Sequence, residues 1–110
     1  MTETEFNDLV DLTLDQIEER LDDAETDIDA QLGGGILTII CENRTQLIFT
    51  RQTPVKQLWL ATKGGGFHFN YDKAAESWVL DSDGQRLDQF LTAAYREQAG
   101  EELTFDLTGA

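Results

Sequence analysis

An α+β fold is predicted: one antiparallel sheet of about six strands, covered on one face by an N-terminal and a C-terminal helix. Three observations predict it. Apolar residues recur with helical spacing near both ends of the chain. Between residues 27 and 80 the period drops to two. The runs in that stretch are joined by turns too short for a βαβ crossover, which implies an antiparallel meander. At 110 residues the chain has material for one core, and residues 1–110 read as a single domain.

The first helix is expected over residues 6–24. Phe6, Leu9, Val10, Thr13, Leu14, Ile17, Leu21 and Ala24 share one arc of about 140°. Thr2 with Glu5 three residues on reads as a capping box, with Thr4 as an alternative start. Strands are expected over 28–32, 36–42, 46–51, 57–62, 67–71 and 77–80, punctuated by two glycine triplets and by Pro54, the chain's one proline. After the Asp81-Ser82-Asp83-Gly84 turn, Leu87, Phe90, Leu91 and Ala94 form the stripe of a second helix, with Gly100 past its end. Residues 103–107 read as a terminal extended segment.

Charge narrows the function. Eight basic residues face 22 acidic ones, for a formal net charge of −14. Nucleic acid and anionic membrane are poor partners for such a chain, whereas cations and basic proteins are good ones. No apolar run reaches the length of a membrane span. The acidic start, Met1-Thr2-Glu3-Thr4-Glu5, has neither the basic nor the apolar region of a leader. A cytoplasmic address is expected, or a mature chain whose presequence has been removed.

The acids are concentrated. Asp8, Asp11, Asp15, Glu18, Glu19 and Asp22 lie opposite the apolar arc of the first helix, and Asp11, Asp15, Glu18 and Asp22 stack as one stripe. Asp23, Glu25, Asp27 and Asp29 carry the negative potential into the first strand. Arg20 is the only base between Met1 and Asn43. A solvated helix face normally intersperses bases among its acids. Each carboxylate pair about 6 Å apart costs roughly 0.7 kcal/mol even in bulk water. Asp22 and Asp23 also sit where the helix macrodipole disfavours anions. Such a ridge can do limited chemistry: oxygen donors on an open surface suit hard cations, held weakly and with several waters. Composition does not separate iron from calcium or manganese.

Other residues carry less. Alternation turns Leu58 and Leu60 to one sheet face and Trp59 to the other, either as an exposed anchor for a partner or beneath cross-strand neighbours. His68, the single histidine, is turned away from Phe67 and Phe69 and has no evident Ser or Cys to activate. Cys41 lies in an apolar run and reads as a small buried hydrophobe. The glycine triplets match no phosphate-binding loop, and Asp81-Ser82-Asp83-Gly84 lacks the later ligands of a calcium loop. An enzyme is not predicted.

Three segments together resemble the frataxin family in its bacterial, CyaY-type form: Ile17-Glu18-Glu19-Arg20-Leu21-Asp22-Asp23, Gly34-Gly35-Ile36-Leu37-Thr38-Ile39, and the run RQTPVKQLWLATKGGGFHF over residues 51–69. The last is the most specific, through its Pro, Trp, Gly-Gly and His-Phe at that spacing. The resemblance implies the frataxin α/β sandwich and iron binding, as Fe2+ or Fe3+, at Glu18, Glu19, Asp22, Asp23, Asp27 and Asp29, with Asp15 and Asp11 extending the ridge. It further implies that Glu18, Glu19 and Asp22 bind a cysteine desulfurase of the IscS type, and that Trp59 contacts the iron–sulfur scaffold complex. The role implied is regulation of, or iron supply to, iron–sulfur cluster assembly by a monomer, with iron-driven oligomerisation left open. A ferroxidase and an acidic adaptor with incidental metal are the alternatives. The segment after Asp23 is shorter than in some relatives, and Asn7 stands where some carry a histidine near the helix start.

Overall fold

The computed structural model describes residues 1–107. Helix α1 (Glu3–Leu21) is followed by strands β1 (Asp29–Gly33), β2 (Ile36–Ile40), β3 (Gln46–Gln52), β4 (Gln57–Thr62), β5 (Gly65–Asp72) and β6 (Ser77–Leu80), then by α2 (Leu87–Ala99). The strands pair in chain order as one six-stranded antiparallel meander. The predicted fold class is the observed one.

Local chemistry explains the ends of α1. The Thr2 hydroxyl accepts from the Glu5 N–H at 3.1 Å, and the Glu5 carboxylate accepts from the Thr2 N–H at 3.1 Å. The helix stops at Leu21, three residues short of the expected end. Asp22, Asp23 and Ala24 instead donate to the carbonyls of Glu19, Arg20 and Leu21, which tightens the chain into a turn of i→i−3 bonds. Consecutive acids at a helix C-terminus oppose another α-helical turn. Strand β2 ends at Ile40, so Glu42 falls in the following turn. At the far end Gly100 adopts φ 72° and its N–H reaches the Arg96 carbonyl.

Alternation sorts the sheet into two faces. Leu37, Ile39, Leu47, Phe49, Leu58, Leu60, Phe69 and Trp78 are buried against Phe6, Val10, Leu14 and Ile17 of α1 and Leu87, Leu91 and Tyr95 of α2. Phe90 packs its ring against Phe67 and Phe69. Residues 100–107 pair with no strand, yet Leu103, Phe105 and Leu107 are buried in the same core while Thr104 and Asp106 are exposed. Thr13, counted above with the apolar arc, is fully buried: its hydroxyl donates to the Leu9 carbonyl and accepts from the Trp78 indole N–H at 2.9 Å. Cys41 is buried just beyond β2, and desolvation raises its thiol above the ordinary value. Among the described residues no helix is long and apolar enough to cross a membrane.

Candidate metal and partner site

The packing of α1 decides where its carboxylates go. With Phe6, Val10, Thr13, Leu14, Ile17 and Leu21 buried, Asp8, Asp11, Asp15, Glu19 and Asp22 are exposed and Glu18 is half-buried. Glu18, Glu19 and Asp22, with Leu21 of α1 and Ile28 and Ala30 of the first sheet edge, line a shallow depression of about 250 Å³. Among the described residues, ion pairs reach Glu5, Asp11, Asp23, Asp88 and Glu102, and none reaches Asp15, Glu18, Glu19 or Asp22.

Two members of the predicted set are paired with a base. Asp11 pairs with Arg51 of β3 at 2.5 Å, and the same guanidinium donates to the Asn7 side chain and to the Gly35 carbonyl. Gly35 permits this approach, since a Cβ there would lie 2.9 Å from the Arg51 Nε at a φ of 77°. Asp23 pairs with Arg20 at 2.8 Å, while the Arg20 Nε donates to the Thr104 carbonyl. Asp29 accepts from the Gln31 amide, and Asp27 donates its backbone N–H to Glu42 at 3.4 Å.

Sequence reasoning did not select Arg51, Glu42 or Glu101. Glu101, just past α2, accepts from the Glu25 N–H at 2.6 Å, from the Thr26 hydroxyl at 2.8 Å and from the Tyr95 hydroxyl at 2.9 Å. The Glu25 N–H first, then the Thr26 and Tyr95 groups, hold its carboxyl below the ordinary value. Burial pushes Tyr95 up to about 12, so at neutral pH it is the donor of that pair. Glu101 therefore ties the acidic connection between α1 and β1 to the end of α2. No local pattern announces a contact between residues 25 and 101.

The donors form a surface rather than a cage. Among the described residues no group of three or more His, Cys, Asp or Glu side chains converges to hold an ion. A larger cavity, about 580 Å³, lies under α2 near Phe67, Phe90 and Gln98, away from these acids.

Trp59 faces the uncovered side of the sheet, half-buried, with its ring stacked on His68 at 4.1 Å and 11°. Both alternatives left open by alternation are thus partly realised. One ring face is covered by a cross-strand neighbour, and the indole N–H donates to Gln57 at 2.9 Å. Gln57 donates in turn to Asn70, and Asn70 to Asp81. This network fixes the orientation of the indole on a sheet face whose outward residues also include Ile36, Thr38, Ile40, Ile48, Thr50 and Ala61.

Comparison with known proteins agrees with this architecture. A family model described as a frataxin-like domain matches residues 1–101. A protein of Pseudomonas fluorescens named iron-sulfur cluster assembly protein CyaY is 45% identical over 106 residues, covering 96% of both chains. The protein of that name from Pseudomonas syringae is 48% identical over 105 residues, again covering 96% of both. Among solved structures, frataxin from Psychromonas ingrahamii superposes with a TM-score of 0.87 at 37% identity, covering 96% of this chain and 99% of that one. A trimeric yeast frataxin, from Saccharomyces cerevisiae, complexed with ferrous iron, superposes with a TM-score of 0.69 at 26% identity, covering 92% and 88%.

Proposed function

This chain belongs to the frataxin-like family, and from that premise we propose that it binds iron as cargo on the carboxylates of α1 and serves iron–sulfur cluster assembly. A cysteine desulfurase of the IscS type meets it through the same surface. The observation that carries the reading is the contrast along α1 and the turn after it: among the described residues, a cation reaches Asp11 and Asp23 but none reaches Asp15, Glu18, Glu19 or Asp22. In a chain of net charge −14, three carboxylates lining one depression, with Asp15 a turn away, favour a hard cation or a basic protein surface.

The geometry supports an order among the ligands. Glu18, Glu19 and Asp22 act first, because they line the depression and have no cation to release. Asp15 adds to them from one turn earlier. Asp23 and Asp11 join only after giving up Arg20 and Arg51, while Asp27 and Asp29 extend the field along the strand edge. Donors spread over a surface hold iron weakly, which suits transfer to a partner better than turnover. The role is regulatory and carrying rather than catalytic, in a bacterial cytoplasm. The relatives' shared name and the ferrous-complexed yeast neighbour support it. Trp59, half-buried on the uncovered sheet face, contacts the scaffold side of the assembly complex. The chain acts as a monomer; sedimentation with and without Fe(II) tests whether iron drives association, as the trimeric neighbour suggests.

The deciding experiment is a two-dimensional NMR titration with anaerobic Fe(II) and, separately, with desulfurase. Glu18, Glu19 and Asp22 should shift in both before any residue of α2. Shifts centred on His68 or Cys41, with α1 silent, would overturn the proposal. Replacing Glu18, Glu19 and Asp22 together by Lys should abolish desulfurase binding, and wild-type binding should weaken steeply as salt shortens the Debye length from about 10 Å at 0.1 M to about 3 Å at 1 M. Trp59→Ala should impair the assembled complex with little change in salt dependence.

A further inference from the structure

The sheet has two edges, and they differ. The β6 edge is partly occupied: Val79 bridges to Arg86, and the Leu80 N–H donates to the Gln85 carbonyl at 2.8 Å. Among the described residues the β1 edge has no such cover, and four of its five residues are exposed. The Gly34-Gly35 turn has two residues, both at positive φ, so Gly33 and Ile36 close it as a hydrogen-bonded pair. Alternate pairs follow, which makes Gln31–Thr38 and Asp29–Ile40 the next bonded ones. The bond from the Cys41 N–H to the Thr45 carbonyl, 2.8 Å, places β2 in the same register from its other side. The N–H and C=O groups of Ala30 and Leu32 therefore point outward from the sheet, unpaired within it.

The side chains of Ala30 and Leu32 share the helix-facing side with Leu37 and Ile39, and Ala30 forms one wall of the depression that holds Glu18, Glu19 and Asp22. Leu32 is 41% exposed there. An extended segment laid along β1 would thus form backbone bonds to Ala30 and Leu32 and direct every second side chain at those three carboxylates. Asp27 and Asp29, together with the net charge of −14, oppose a second copy of this chain on the same edge. We propose that the β1 edge is the docking strand for an extended, Lys- or Arg-alternating segment of a basic protein partner, which adds to the sheet as a seventh strand. The inference rests on the reading of the α1 acids as a partner surface, and states how that partner is gripped.

The test uses the full chain and a capped peptide, Lys-Thr-Lys-Thr-Lys-Thr-Lys, with two versions N-methylated on alternate sets of amides. Hydrogen exchange at the Ala30 and Leu32 amides should slow several-fold with the parent peptide. One methylated set should bind about tenfold or more weakly, and the other about as well as the parent, because only one set faces the sheet. Leu32→Pro removes an outward donor while sparing the bonds to β2, and should weaken binding similarly, with its melting curve reporting the fold. If both methylated peptides bind alike and the two amides exchange as in the free chain, while Glu18, Glu19 and Asp22 still shift, charge alone holds the peptide. Strand addition is then overturned and the α1 reading survives. If the triple Lys variant binds the parent peptide as wild type does, the α1 reading itself falls, and the docking strand with it.

Discussion

Replacing Glu18 by Lys tests whether the α1 acids are maintained at the expense of stability. Glu18 faces Asp22 one turn on and Asp15 one turn back, and none of the three has a cation within ion-pair distance among the described residues. At about 6 Å in bulk water each repulsion is roughly 0.7 kcal/mol, and exposed helical pairs of opposite charge contribute about 0.3–0.5 kcal/mol. A cation in the last turns of α1 also gains about 0.3–1 kcal/mol from the macrodipole. Discounted for screening, the substitution should stabilise the fold by about 0.5–1.5 kcal/mol. With an unfolding entropy near 2.1 cal/mol/K per residue over 110 residues, this raises Tm by about 2–6 °C. Calorimetric melting in 20 mM and 1 M NaCl is the assay, and high salt should remove most of the gain. The same variant should take up Fe(II) more weakly. If Glu18→Gln, Glu19→Gln and Asp22→Asn, made singly, each lowered Tm at low salt, repulsion along α1 would not be the dominant effect and the reasoning would be refuted.

Thr13→Val keeps the volume but leaves the buried Trp78 indole N–H without its acceptor; denaturant unfolding should show a loss of about 1–3 kcal/mol. Glu101→Gln should flatten the acid limb of stability. Its carboxyl is held below the ordinary 4.5, so the stabilisation is present above about pH 4.5 and is lost as pH falls through the lower folded value; an unchanged acid limb in urea titrations would exclude this clamp. Tyr95 works at the other end: its raised value, about 12, means stability holds below pH 10 and declines between about 10 and 12, and Tyr95→Phe should remove that decline in alkaline melts. Cys41, buried with its thiol raised by desolvation, should react with a thiol reagent only at the rate of unfolding, as urea-dependent labelling would show.

Much of this protein can be read along the chain because much of it is local. The capping box at Thr2 and Glu5, the apolar stripe of α1, the two-residue period of the strands and the left-handed Gly100 each depend on residues a few positions apart, where 3.6- and 2-residue periods act directly. The end of α1 is less legible: Ala24 fits the stripe geometrically, while the choice between α and i→i−3 bonding at Asp22 and Asp23 turns on end effects that periodicity does not register. Trp59 pointed outward as alternation required, but its stack on His68 depended on the register of β4 against β5.

Helical spacing alone puts the acids of α1 on one side, since burial of Phe6, Val10, Leu14, Ile17 and Leu21 leaves Asp15, Glu18, Glu19 and Asp22 no other direction to face. Which acids have a counter-charge is set by contacts across the fold. Arg51 lies 40 residues from Asp11 and reaches it because the register of β3 against β2 brings the Arg51 side chain over Gly35, and Glu101 lies 76 residues from Glu25. Coulomb attraction and hydrogen bonding act over a few ångströms of space, whereas helical and strand periods act over a few residues of chain. Partners across the fold are therefore set by packing, and only the packed chain separates the paired carboxylates from the unpaired ones.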